Sequence, residues 1–113
     1  MEKSSEQYLE EIQQIYQMFP NAKFCIAINL DDLDDIISER NNIVVKQDYN
    51  CYCYKNFRKK TDYFYIKGQK LTNKFIISKL IEQGLELDCN HCFIEGFYKI
   101  KNSDCQFEIM IGS

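Results

Sequence analysis

Leu9, Ile12, Tyr16 and Phe19 recur at the spacing of one helical face and stop at Pro20, so the first stretch of the chain predicts an amphipathic α-helix. Ser4 or Ser5 can cap it, with Glu6 in its first turn. From Lys23 to Ile28 the period shortens to two. Phe24, Ile26 and Ile28 alternate with Cys25 and Ala27, and because both sets are apolar or small the segment predicts an interior strand. Asp31 and Asp32 then open a second short helix with Leu30, Leu33, Ile36 and Ile37 on its apolar side, ending near Asn41 and Asn42.

Further on, Ile43 to Tyr54 is rich in β-branched and aromatic residues and predicts a long strand, irregular near Gln47 to Asn50. Lys55 to Thr61 is a polar, basic connection, and Asp62 to Lys67 is the partner strand, closed by a turn at Gly68. Thr72 or Asn73 caps a third helix, with Phe75, Ile76, Ile77, Leu80 and Ile81 inward and Gly84 as its stop. Leu85 to Asp88 is a short extended piece. Phe93 to Ile100 and Cys105 to Ile111 form a hairpin around Lys101 to Asp104. With the first helix set aside, the order through the next strand is βαββαβ. That order predicts an α+β, ferredoxin-like sandwich of antiparallel sheet with helices on one face, plus an extra N-terminal helix and a C-terminal hairpin.

The 113 residues fit one α+β domain, residues 1–113, large enough to bury a core without cross-links. No apolar run approaches the ~20 residues that span a bilayer. Met1 to Gln7 has no apolar core and cleavage site, so no secretory leader is expected there and the expected compartment is intracellular. In that compartment the six cysteines are thiols or metal ligands rather than three disulfides.

The net charge of −3 conceals an asymmetry: residues 1–48 carry ten acids and four bases, residues 49–113 seven acids and ten bases. Between residues 55 and 79, Lys55, Arg58, Lys59, Lys60, Lys67, Lys70, Lys74 and Lys79 face Asp62 alone. One basic face on an acidic molecule is therefore expected.

The candidate chemistry begins with Cys89-Asn90-His91-Cys92, which holds the one histidine of the chain and two of its six cysteines. Zinc needs about four thiolate or imidazole ligands in a tetrahedron. Cys89 and Cys92 have zinc-knuckle spacing and His91 can replace one thiolate. Cys51 and Cys53, two apart on a strand, would need a bend for their sulfurs to converge, and Cys25 or Cys105 could supply a further ligand. The competing reading is that these are buried structural thiols. A thioredoxin-like dithiol is disfavoured because the motif follows a helix and stands beside Glu86 and Asp88, which raise a thiol pKa rather than lower it. A Cys89 nucleophile with His91 as base lacks an orienting third residue and an oxyanion hole. Asp31, Asp32, Asp34 and Asp35 could hold Mg²⁺, but helix capping accounts for them.

Tyr52, Tyr54, Phe57, Tyr63 and Tyr65 interleave with Lys55, Arg58, Lys59 and Lys60, which pairs stacking surfaces with phosphate-binding cations. RRM domains use a ferredoxin-like sheet as their platform, yet the Lys60 to Lys67 region lacks the RNP1 glycine and aromatic spacing. The same residues suit protein contact, and no catalytic constellation accompanies them. The first expectation is a non-enzymatic protein-interaction or regulatory module with a protein partner and no membrane role. Nucleic-acid binding through residues 52–65, or a small zinc-binding domain, is the alternative; zinc apart, no cofactor is expected.

Three stretches carry a resemblance: Asp62-Tyr63-Phe64-Tyr65-Ile66-Lys67-Gly68, Cys89-Asn90-His91-Cys92-Phe93-Ile94-Glu95-Gly96-Phe97 and the terminal Ile111-Gly112-Ser113. This portion, about half the chain, resembles small proteins of giant DNA viruses to which no function is attached. The resemblance implies an intracellular viral protein, in the host cytoplasm, acting on virus or host components. It transfers no functional residue.

Overall fold

The computed structural model describes residues 4–49, 60–87 and 93–112. The chain enters through helix α1 (Ser5–Met18), whose N-terminus closes as a capping box: Gln7 N–H donates to Ser4 Oγ at 3.2 Å, and Ser4 N–H to Gln7 Oε1 at 2.8 Å. Strand β1 (Cys25–Ile26), a 3-10 turn (Leu30–Asp32) and strand β2 (Ile36–Ser38) follow. Strands β3 (Asn42–Tyr49) and β4 (Lys60–Lys67) form a long antiparallel pair, and a short β5 (Leu71–Thr72) leads into helix α2 (Asn73–Glu82). The chain ends in the hairpin β6 (Phe93–Lys99) and β7 (Gln106–Gly112).

Five strands make one mixed sheet in the order β1-β6-β7-β3-β4, and β2 pairs with β5 in a second, two-stranded ladder. β1 runs parallel to β6 and β7 parallel to β3, while β6–β7 and β3–β4 are antiparallel. The fold is α+β, with two helices among the described residues. The N-terminal helix and C-terminal hairpin stand where expected, but the ferredoxin-like antiparallel sandwich is not confirmed, since half of the pairings in the large sheet are parallel.

That difference begins at residues 31–42, where a helix was expected. Asp31 and Asp32 sit in the 3-10 turn, and Ile36–Ser38 is extended. The backbone carbonyls that would serve such a helix are committed elsewhere. Asn73 N–H donates to Asp35 O at 3.1 Å, Lys74 N–H to Leu33 O at 2.9 Å, and Asn73 Nδ2 to Asp32 O at 2.9 Å. Phe75 N–H is taken by the Thr72 hydroxyl at 3.1 Å. The segment's backbone carbonyls therefore satisfy orphan amides at the start of α2. It is the backbone of this segment, not its acidic side chains, that serves a helix terminus.

α2 turns Ile76, Ile77 and Leu80 fully inward and stops at Gly84. Gly84 adopts φ +85°, the left-handed conformation that lets Leu85 N–H reach back to Leu80 O at 3.0 Å. The core beneath is one cluster: Ile43 and Val45 from β3, Phe64 and Ile66 from β4, Ile94 and Phe97 from β6, Phe107 and Ile109 from β7, joined by Leu33, Leu71, Leu85 and Leu87. Phe24, Ile26 and Ile28 are buried, Cys25 half-buried and Ala27 exposed. β1 is accordingly an edge strand among the described residues rather than an interior one.

Candidate functional site: the open face of the sheet

In a strand, alternate side chains leave opposite faces of the sheet. Because Phe64 and Ile66 of β4 are buried, Tyr63, Tyr65 and Lys67 must project outward, and all three are exposed. The same alternation sends Val44, Lys46 and Asp48 of β3 and Glu108 of β7 to that face, with Tyr98 of β6 exposed beside them. Strand register then aligns four of these residues. Tyr63 is paired with Lys46, Lys46 with Glu108, and Glu108 with Tyr98, so one row crosses four strands as aromatic, base, acid, aromatic. Tyr65 stands one row along, opposite Val44, and is 73% exposed.

Hydrogen bonds fix the centre of this surface. The Tyr98 hydroxyl donates to a Glu108 carboxylate oxygen. Thr61 Oγ1 donates to Asp48 Oδ1 at 2.7 Å, and Lys46 Nζ lies 3.5 Å from Asp48 Oδ2. The Thr61 hydroxyl, assisted by the Lys46 ammonium, holds the Asp48 carboxyl below its ordinary range, while the Glu108 bond and burial push the Tyr98 phenol up. On the far side of β4, Gln83 Nε2 donates to Tyr65 O at 2.8 Å, so the end of α2 occupies part of the strand edge and leaves the tyrosine ring on the open face.

Of the binding residues expected from sequence, Tyr63 and Tyr65 share this face, and Lys60 begins β4 with its backbone paired to Tyr49. Tyr52, Tyr54, Lys55, Phe57, Arg58 and Lys59 lie outside the described residues, as do the candidate metal ligands Cys51, Cys53, Cys89, His91 and Cys92. Among the described residues no cluster of three or more His, Cys, Asp or Glu side chains could hold a metal ion. The two described cysteines differ in position. Cys25 is paired in register with Phe93, the first residue of β6, whereas Cys105 precedes β7 at the other end of the hairpin, six strand steps or ~20 Å away. Cys25 and Cys105 therefore stand at opposite ends of the β6–β7 hairpin.

Sequence reasoning missed Lys46, Asp48, Tyr98 and Glu108. Their signal was the alternation of polar residues with Val45, Phe97, Phe107 and Ile109, but joining them needed the parallel β3–β7 pairing, which no local pattern encodes. No family model, curated protein or solved structure matches this chain.

Proposed function

We propose that this protein is a non-enzymatic interaction module that binds a protein partner through the open face of its sheet. The observation that carries the reading is the row Tyr98–Glu108–Lys46–Tyr63 with Tyr65 projecting beside it. Tyrosines offer large contact area at low entropic cost, and interspersed charges of both signs give register and selectivity against other proteins. A nucleic-acid surface needs a surplus of cations along the phosphate path. Here Lys46 and Lys67 share the face with Asp48 and Glu108, which favours protein over nucleic acid.

The nucleic-acid reading rests on the basic residues Lys55, Arg58 and Lys59, which lie outside the described residues. No helix among the described residues is long and apolar enough to cross a membrane. The reducing interior of a cell, where Cys25 and Cys105 stay as thiols, is the compartment this reading assigns.

The test is a photo-crosslinking residue at position 65, followed by identification of the adducts. Protein adducts that disappear in the Tyr63→Ala variant, with folding retained, support the proposal. Adducts that are nuclease-sensitive overturn it in favour of nucleic acid, and adducts indifferent to Tyr63→Ala remove the sheet face from consideration.

A further inference from the structure

α1 exposes more apolar surface than its own packing uses. Of its residues only Ile15 is buried, while Tyr8, Leu9, Ile12 and Tyr16 are exposed, Leu9 at 60% and Ile12 at 45%. Tyr8, Ile12 and Tyr16 follow one another at four-residue steps and form a single stripe along the helix. The stripe borders a groove of about 290 Å³, whose other wall is Ile26, Ala27, Ile28 and Leu30, with Phe93 at β6. Tyr16 and Ile26 line the groove together.

The surroundings of this groove are acidic. Glu11 lines the groove itself, and the 3-10 turn that supplies Leu30 to its other wall carries Asp31 and Asp32. An anionic lipid surface would be repelled by such a rim. The complementary ligand has an apolar stripe flanked by cations, the pattern of a basic amphipathic helix lying in a groove. The groove lies against β1 and the start of β6, whereas Tyr63 and Tyr65 stand on β4 at the opposite edge of the sheet.

We propose that the groove between α1 and β1 docks a basic amphipathic helix of a partner protein, with the partner's apolar residues against Ile12, Tyr16 and Ile28 and its lysines or arginines toward Glu11. Docking also completes α1, a helix of a length that is marginal on its own.

The probe is a fluorescent synthetic helix of about 18 residues, leucines at three- and four-residue spacing and lysines elsewhere. Its controls are a leucine/glutamate peptide of the same pattern and a lysine/glutamine peptide of equal charge. At about 150 mM salt the leucine/lysine helix should bind at least roughly tenfold more tightly than either control, with roughly tenfold loss in Ile12→Lys and in Glu11→Lys. Amide resonances of residues 8–16 and 26–30 should shift in the unsubstituted protein, a readout that stands even if Ile12→Lys does not fold. Equal binding of either control, shifts centred on β4 instead, or preference for anionic vesicles would overturn the proposal. So would a dimer that Ile12→Lys dissociates, because a second copy would then be the occupant.

Discussion

Tyr98 and Glu108 stand directly opposite each other on the antiparallel β6–β7 pair, and the phenol donates a hydrogen bond to the carboxylate. This bond, with burial and the negative charge of Glu108 behind it, favours the protonated phenol and raises its pKa above the ordinary value. A group whose folded pKa is raised adds stability that is fully present below its unfolded pKa, about 10 for tyrosine, and is lost as pH climbs through the folded value. Glu108→Gln should therefore bring the Tyr98 titration down towards the ordinary value, read by NMR of ¹³C-labelled tyrosine. An unchanged Tyr98 titration would mean that the pair does not form.

The acid limb has the opposite sign. Asp48 is held low first by the Thr61 hydroxyl and then by Lys46, so its contribution is present above the unfolded carboxyl pKa and is lost as pH falls through the depressed folded value. Thr61→Val removes the donor while keeping shape. Carboxyl-carbon NMR should show Asp48 titrating at higher pH in that variant, and stability should fall at neutral pH while its dependence on pH across the acid range becomes shallower. By contrast the Arg40–Asp104 pair is fully solvated, and Arg40→Ala should leave the urea midpoint at neutral pH unchanged.

The Asn73 side chain ties the 3-10 turn to α2 through Asp32 O, and its Oδ1 is buried without a partner. Asn73→Ala should cost about 1 kcal/mol by removing one of the two hydrogen bonds that Asp32 O accepts, Asp35 N–H keeping the other at 3.1 Å. Thr72→Ala, which removes the cap on Phe75 N–H, should cost about 1 kcal/mol. Both act on the same helix terminus, so the double variant should depart from additivity in urea titrations. Strict additivity would show that the turn and the cap are independent.

These contacts also mark where the sequence ceased to be informative. Thr72 as cap, Ile76, Ile77 and Leu80 as core, Gly84 as stop, the β3–β4 pair and the β6–β7 turn are local, and composition with periodicity carries them. Residues 31–38 looked helical because Leu33, Ile36 and Ile37 have helical spacing. What outweighs that spacing is the demand of α2 for carbonyl acceptors, from residues some forty positions away. The tyrosine face was half legible for the same reason: Tyr63 and Tyr65 are neighbours along β4, whereas Tyr98 joins them only through the non-local, parallel β3–β7 pairing. In α1 the four apolar positions named the helix correctly but not its buried side, because Ile15 rather than Ile12 meets the core.

That last distinction is measurable. Ile15 is 4% exposed and packs into the cluster with Phe19 and Phe24, so Ile15→Ala removes buried methylenes and leaves a cavity, which should cost roughly 2–5 kcal/mol. Leu9 lies on the same helix and is just as apolar, but it is solvated; glutamine has nearly the same helix propensity, so Leu9→Gln should change stability by no more than about 0.5 kcal/mol. Urea unfolding of the two variants separates the contributions. If Leu9→Gln were as costly as Ile15→Ala, the side of α1 that carries Leu9 would already be covered in the isolated protein, by a second copy or by other parts of the chain.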